Sequence, residues 1–377
     1  MNIPSLLIIG GFLGAGKTTV STGLVTMLWD AGKEAALVTN DQSEGLVDTE
    51  IAAAGGIAVK EIAGGCFCCQ CHQFALALDE ITVLRQCEII IAEAVGSCTD
   101  LVATVVEPLR VDLQMPYKVL PMTIVVDPQR AETALLGNET KGATLHDDVT
   151  YIVLKQLEEA QVILVNKEVS IPCERMDAIV ASVGARFPEA EVMRFSARNP
   201  ASIAKLWEYL QTAEARHRPI QDIDYERYAK GEAFLGWLNA ECRMETGNGG
   251  IPMDEVSEAM GEEIRRRQIE RGIEIAHLKV SVVDALGGAV SGGGRELSVV
   301  QCVSSSAPLD RVRGSSAAIS QGRVLINLRA QADPRTLESD VRAAVDAVAQ
   351  RWNAQMTMVR LDSFAPSAPN PPFQRRA

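Results

Sequence analysis

The sequence predicts an α/β protein in which a parallel sheet, covered by helices on both faces, is followed by a smaller α/β unit. Three observations carry this expectation. Short β-branched runs alternate with helical stretches over the first two hundred residues, the pattern of strand and crossover helix. Continuous apolar runs, Ile89-Ile90-Ile91 and Val162-Ile163-Leu164-Val165, suit strands buried on both faces. A glycine-rich turn, residues 11–18, joins the first such strand to the first helix.

Strands are expected at Ser5 to Gly10, Ala35 to Asn40, Ala58 to Ile62, Glu88 to Glu93, Met122 to Asp127, Gln161 to Asn166 and Glu191 to Phe195. Gly16 to Ala31 and Asp147 to Glu159 read as helices between them. Residues 1–205 form this first domain. From 206 to 274 the chain turns strongly charged, with Glu262-Glu263 followed by Arg265-Arg266-Arg267, and reads as a helical connector without strands. Residues 275–364 form the small second unit, with strands at His277 to Val283, Leu297 to Val303, Val324 to Ala330 and Met356 to Leu361. The glycines at 287–294 read as a hairpin connection, since glycine adopts positive φ without steric cost. Asp333 is placed as an N-cap and Pro334 at the first helical position, ahead of an apolar stripe of Leu337, Val341, Val345, Val348 and Trp352. Four prolines in 365–377 block helix and ladder, so an extended or disordered tail is expected.

The 377 residues carry 36 Lys+Arg against 49 Asp+Glu, a net charge of −13. Such a field repels phosphate backbones and anionic lipid, so neither nucleic acid nor a membrane is expected as a partner. The start Leu6 to Ile9 is too short for a signal peptide and lacks a basic leader, and no apolar run approaches the roughly 20 residues of a membrane span. A cytoplasmic protein is expected. There thiols stay reduced, so nine cysteines, four of them within six residues, point to metal or reactive thiol chemistry before disulfides.

Gly11-Phe12-Leu13-Gly14-Ala15-Gly16-Lys17-Thr18 satisfies the pattern of a phosphate-binding loop in its expected place between strand and helix. Its glycines turn backbone N–H groups toward phosphate, the helix N-terminus adds partial positive charge, Lys17 reaches the terminal phosphates and Thr18 offers a hydroxyl to Mg²⁺. The first domain is therefore expected to be a P-loop NTPase sheet. Glu93 falls at the end of a strand, where ligands of open α/β sheets bind, and can join Thr18 at Mg²⁺; capping of a helix is its alternative role. Gly96 can offer its N–H to the γ-phosphate. Asp41 and Glu44 are carboxylates at the same sheet edge, either in a nucleotide-sensitive loop or merely solvated.

Gly64-Gly65-Cys66-Phe67-Cys68-Cys69-Gln70-Cys71-His72 concentrates four thiols and an imidazole directly after a strand. Thiolates with imidazole suit Zn²⁺ or another borderline metal, and the glycines let the backbone curl around one point. A buried apolar cluster or a redox pair is the competing reading. Cys87, Cys98, Cys173, Cys242 and Cys302 are isolated and read as small hydrophobes, while His277 fits either core or ligand.

Taken together, the loop from Gly10 to Thr19 and the triplet Cys66, Cys68 and Cys69 resemble those of the CobW-like metallochaperone GTPases, over about the first 200 residues. That family is related to the GTPases that insert nickel into urease and hydrogenase and to those that guard corrinoid-dependent mutases. The resemblance implies GTP and Mg²⁺ on the loop residues and Thr19, a Walker B acid at Glu93 followed by Gly96, base recognition by Asn166 and Lys167, and Zn²⁺ or Co²⁺ on Cys66, Cys68 and Cys69. Glu61 matches a family acidic position, and Cys71 and His72 are further candidate ligands. Val169 stands where the family's base-recognition motif has the carboxylate that pairs with guanine, so either another residue supplies an acceptor or ATP is accepted. The stretch Asn40-Asp41-Gln42-Ser43-Glu44 also departs from the family's switch.

The expected function is nucleotide-gated delivery of a divalent metal to a client protein, with slow GTP hydrolysis. Two alternatives stand beside it: a GTPase chaperone or reactivation factor for a corrinoid-dependent methyltransferase or mutase, and a redox-responsive nucleotide-binding protein. The expected partner is a metal- or corrinoid-dependent client, and the reading is compatible with a homodimer.

Overall fold

The structure, a computed structural model, describes residues 3–40, 59–62, 65–85, 87–136, 145–216, 220–247, 249–285 and 296–374. Asp41, Glu44 and the connection at 287–294 lie outside the described residues.

The chain begins with β1 (Ser5–Gly10), α1 (Lys17–Asp30), β2 (Ala35–Asn40), β3 (Val59–Ile62), α2 (Cys71–Arg85) and β4 (Ile89–Glu93). After the π-helical turns Val102–Val106 and Pro108–Asp112 come β5 (Lys118–Val119), β6 (Thr123–Val126), α3 (Pro128–Leu136), α4 (Asp147–Glu159), β7 (Val162–Val165), α5 (Cys173–Arg186), β8 (Glu191–Arg194) and α6 (Pro200–Thr212). All described pairings are parallel, in the order β3-β2-β4-β1-β6-β7-β8, with β5 beside β1. Separate apolar cores fill the two faces: Leu6 and Ile8 point into one with Ile90, Ile124 and Ile163, and Leu7 and Ile9 into the other with Ile91, Val125 and Leu164. Burial on both faces is why these strands read as unbroken apolar runs.

The expected strandless connector is corrected by the structure. α7 (Tyr225–Ala233) packs on the first domain, where a Cβ at Gly231 would lie 2.4 Å from Asp148 O. β9 (Gly236–Glu245) then enters the second sheet between two partners. Leu238, Ala240, Cys242 and Met244 alternate there with Trp237, Asn239, Glu241 and Arg243, a period of two that the surrounding charge hides. The remaining elements are β10 (Ile251–Pro252), α8 (Met253–Glu270), β11 (Ile275–Asp284), β12 (Leu297–Cys302), β13 (Asp310–Arg313), β14 (Ala318–Ile319), β15 (Gln321–Ala330), α9 (Pro334–Trp352) and β16 (Gln355–Phe364). The antiparallel order β13-β12-β11-β15-β9-β16 makes one six-stranded sheet, and β10 pairs with β14. Pairing of Val283 with Leu297 is the antiparallel geometry that a hairpin connection requires.

One face of this sheet, through Leu238, Leu278, Val280 and Ile326, buries the apolar stripes of α8 and α9. Asp333 caps α9 by accepting from Arg335 N, with Pro334 at the first helical position. The other face is apolar at one end, where Val283, Leu297, Val299 and Leu325 cluster, and polar at the end that carries His277, Lys279, Asn327 and Arg329 and lies against the first domain. Arg130, buried, donates to Glu274 Oε1 at 3.2 Å, Ile275 O at 3.2 Å and Val303 O at 2.7 Å, tying α3 to the second sheet.

Beyond β16 the described residues form neither helix nor strand. They are nevertheless packed, with Pro366 and Pro371 buried. Among the described residues no helix is long and apolar enough to cross a membrane.

Candidate functional site

β1 delivers the chain into a tight turn that only glycine permits at two points. Gly11 has φ 127° and a Cβ there would lie 2.0 Å from Val125 O. Gly16 has φ 103° and its Cβ would lie 2.4 Å from Asn166 Nδ2. α1 starts at Lys17 without a side-chain cap, which leaves its first N–H groups for an anion. The Lys17 ammonium donates to Gly11 O at 2.8 Å and Phe12 O at 3.3 Å, at the rim of the same turn. Gly14 and Ala15 lie between these points, and Ala15 O accepts from Asn166 Nδ2 at 2.8 Å. Thr19 lines the cavity that opens above the turn.

Thr18 Oγ1 donates to Glu93 Oε1 at 2.8 Å, so the two side chains expected at Mg²⁺ converge. Parallel register sets Glu61, Thr39 and Glu93 in one row across β3, β2 and β4, all at the strand ends. Gly96 backs onto the loop, where a Cβ would lie 3.0 Å from Leu13 N. Gln156 on α4 fixes the segment after it, donating to Gly96 O at 3.0 Å and Cys98 O at 2.8 Å.

The thiol loop hangs from the same edge. Asn40, the last residue of β2, donates to Ile62 O at 3.0 Å and Gly65 O at 2.7 Å and accepts from Phe67 N at 2.8 Å. The sulfurs of Cys66, Cys68 and Cys69 all lie within 4.8 Å of one another, and all three are free thiols. Hydrogen bonds from Cys68, Cys69 and Cys98 hold the Cys66 thiol well below the usual range, while Cys69 is pushed up to about 11 chiefly by its hydrogen bond with Cys66. A single low thiol among raised neighbours is a cluster that shares its charge, the state a cation would exploit.

Two sequence expectations are corrected here. Cys71 does not join the group: it opens α2, where each residue rotates the side-chain direction by about 100°, and burial together with the charge of Asp112 pushes its thiol up to about 11. Cys98, read as an isolated hydrophobe, is buried in the same apolar core as Cys66 and Cys68 but lies outside the group of three. His72 lies outside the group, its ring 5.0 Å from that of Phe373 in the tail. Cys87, Cys242 and Cys302 are buried, whereas Cys173 is exposed.

On the far side of the loop, Asn166 Oδ1 accepts from Ala197 N at 2.9 Å, and Lys167 pairs with Asp127 at 3.0 Å. Val169 is 87 % exposed and does not line the cavity above the loop. Asp310, on β13 of the second domain, pairs with Arg198 at 2.6 Å. Although burial raises it, hydrogen bonds from Arg198 and Gln301 and the charges of Arg198 and Lys167 keep Asp310 below the usual carboxylate range. No local motif could have announced Asp310, because its partners lie on the other domain.

Between the domains is a cavity of about 260 Å³ lined by Gly14, Lys17, Thr18, Asn40 and Glu93 on one side and by the second sheet on the other. Thr39 Oγ1 and Trp237 Nε1, one on each wall, are buried without hydrogen-bond partners among the described residues. Orphaned polar atoms on both walls suit a polar ligand.

Similar solved structures include HypB from Helicobacter pylori in complex with nickel, at 17% identity over 57% of this chain and 91% of that one with a TM-score of 0.39. The hydrogenase maturation factor HypB from Archaeoglobus fulgidus matches at 15% identity over 55% and 89%, with a TM-score of 0.38. The Zn(II)-bound YjiA GTPase from E. coli matches at 14% identity over 92% and 99%, also with a TM-score of 0.38. No curated protein matches the chain. The family model for the CobW/HypB/UreG nucleotide-binding domain matches residues 5–194, the stretch that carries the phosphate loop, the thiol triplet and Asn166-Lys167, and the chain belongs to that family.

Proposed function

We propose that this protein is a cytoplasmic, GTP-hydrolysing metallochaperone that carries a divalent cation, Zn²⁺ or Co²⁺, on Cys66, Cys68 and Cys69 and yields it to a client protein as its nucleotide state changes. The observation that carries the reading is Asn40, which lines the phosphate cavity and also bonds Gly65 and Phe67 of the thiol loop. A side chain shared by both sites supports this reading, since gating requires the two sites to bias one element between two states. The segment running from Glu93 through Gly96 to Cys98, held by Gln156 at Gly96 O and Cys98 O, offers a second connection, since its far end is buried in the same core as Cys66 and Cys68.

Three close sulfurs fit a borderline metal as cargo. Thr18 and Glu93 would hold Mg²⁺, which supplies charge neutralisation between phosphate oxygens when bound. Lys17 and the N-terminus of α1 bind and orient the phosphates. Gly96 offers its N–H to the terminal one, and any shift there is passed along residues 93–98 to the thiols. Positioning by a client is expected to accelerate hydrolysis, as catalysis of this kind rests on placement and charge.

The test is an anaerobic Co²⁺ titration of reduced protein, following thiolate-to-cobalt charge transfer without nucleotide, with Mg-GTP and with Mg-ATP, in wild type and Lys17→Ala. A signal that depends on nucleotide in wild type and ceases to in the variant supports gating. Metal affinity that stays fully nucleotide-responsive in Lys17→Ala sinks it.

A further inference from the structure

Residues 96–102, which follow Glu93 closely, are clamped by buried side chains from two helices. From α4, Gln156 donates to Gly96 O and Cys98 O, while Glu159 accepts from Thr99 Oγ1 and from Val102 N, each at 3.2 Å. From α7, Glu232 accepts from Ser97 Oγ at 2.6 Å, Tyr228 accepts from Thr99 N at 3.3 Å and Tyr225 donates to Asp100 Oδ2 at 2.7 Å. Ser97, Gln156, Glu159 and Glu232 are all buried. Asp100 takes φ 63°, a left-handed conformation uncommon outside glycine, and the π-helical turn Val102–Val106 comes next. Buried carboxyls are costly unless bonded, and such a backbone persists only where its surroundings over-determine it. A clamp of this kind fixes the exact course of the segment.

We propose that Glu232 is a positioning residue for nucleotide hydrolysis: by holding Ser97 it fixes the peptide between Gly96 and Ser97, and with it the Gly96 N–H offered to the terminal phosphate. This rests on the GTP-hydrolysing reading above. Gly96 lines the phosphate cavity and is pressed against the loop, where a Cβ would lie 2.7 Å from Leu13 Cδ2. Its carbonyl is held by Gln156 and the next side chain by Glu232, so both flanks of one peptide group are tied to the helices behind it. Orientation is what a donor to a transferring phosphate must have in advance, since catalysis there rests on placement and charge. Glu232 lies beyond residues 5–194, on the helix that runs into β9, and Tyr228, Leu235 and Trp237 on either side of it are buried in the first domain's core. This part of the chain is therefore a fixed wall of the nucleotide domain. Burial pushes the Glu232 carboxyl up to about 8, so a glutamine matches it in shape and, at neutral pH, in charge.

The experiment measures kcat and KM for GTP by phosphate release in wild type, Ser97→Ala, Glu232→Leu, Glu232→Gln, the Ser97→Ala/Glu232→Leu double variant and Lys17→Ala, with thermal unfolding of each. The expected result is a kcat lowered about tenfold in Ser97→Ala and Glu232→Leu, with KM within about threefold of wild type, since the contact acts on the transition state. The double variant should be no slower than the slower single one, because both changes remove the same bond, and Glu232→Gln should restore kcat to within about threefold of wild type. A kcat within about threefold of wild type in Ser97→Ala overturns the inference, as do losses that multiply in the double variant or a Glu232→Gln protein as slow as Glu232→Leu. If Glu232→Leu fails to fold, Ser97→Ala and Glu232→Gln decide. Wild type that hydrolyses no GTP sinks the hydrolysis reading itself, whereas hydrolysis abolished by Lys17→Ala but untouched by Ser97→Ala sinks only the role of Glu232.

Discussion

Thr18 and Glu93, 75 residues apart in sequence, meet through a 2.8 Å hydrogen bond between the first turn of α1 and the end of β4. The bond exists because β1 and β4 are parallel neighbours, which puts the loop after one strand beside the last residue of the other. Removing the carboxylate should therefore spare the phosphate cradle and spoil the cation position. Glu93→Ala is expected to retain GTP binding within a few-fold and to lose hydrolysis on the order of 100-fold, read by phosphate release. Unchanged turnover would remove Glu93 from the site.

The thiol geometry separates neighbours that sequence alone treats alike. Cys68→Ser should abolish most of the thiolate-to-Co²⁺ absorption, and Cys71→Ser should leave it unaltered, since only the former belongs to the group of three. Equal losses in the two variants would contradict the arrangement.

Glu159 provides a pH test. Burial, and then the nearby charge of Asp100, push its carboxyl up to about 8. The folded protein therefore binds this proton more tightly than the unfolded chain does, whose carboxyl titrates near 4.3. Stability from this group is complete below that value and declines as pH rises through about 8. Thermal unfolding measured from pH 5 to pH 9 should show a falling midpoint, and Glu159→Gln should flatten the decline. A variant with the wild-type slope would assign the effect elsewhere.

Asp310 is the carboxylate that the second domain brings beside Arg198 and into the field of Lys167, while Val169 is exposed and does not line the cavity between the domains. Asp310→Ala is expected to narrow the preference for GTP over ATP by about tenfold, the scale of one lost charged hydrogen bond. The two nucleotides are compared by competition against one fluorescent ligand; an unaltered ratio would leave base choice to other groups.

The tail meets the thiol segment through Phe373, whose ring lies 5.0 Å from that of His72, and the backbone of Asn370 is among the influences that lower the Cys69 thiol. Truncation after Phe364 should raise the rate of Cys69 alkylation severalfold, followed by mass spectrometry of the modified peptide. Alkylation at the full-length rate would mean the tail does not shield the thiols.

Much of the fold was legible because its signals are local. The apolar runs of β1, β4 and β7 and the glycines of the loop declare their own structure, since burial on two faces and positive φ each demand particular residues where they occur. β9 was not legible: its alternation sits between charged stretches, and only pairing with β15 and β16 turns that alternation into a strand. Intrinsic preference is weak there and partners decide.

Adjacent residues alone specify a phosphate loop, a three-thiol motif and a parallel sheet to present them. Folding adds that Cys71 turns away from the three thiols, that Asn40 serves both sites, and that Lys279, Arg329 and Asp310 face the first domain across an interface. The reason is physical: a backbone turn or a buried strand is specified by adjacent residues, whereas a charge or a sulfur acquires its role from groups brought near it by folding, at separations no local pattern records.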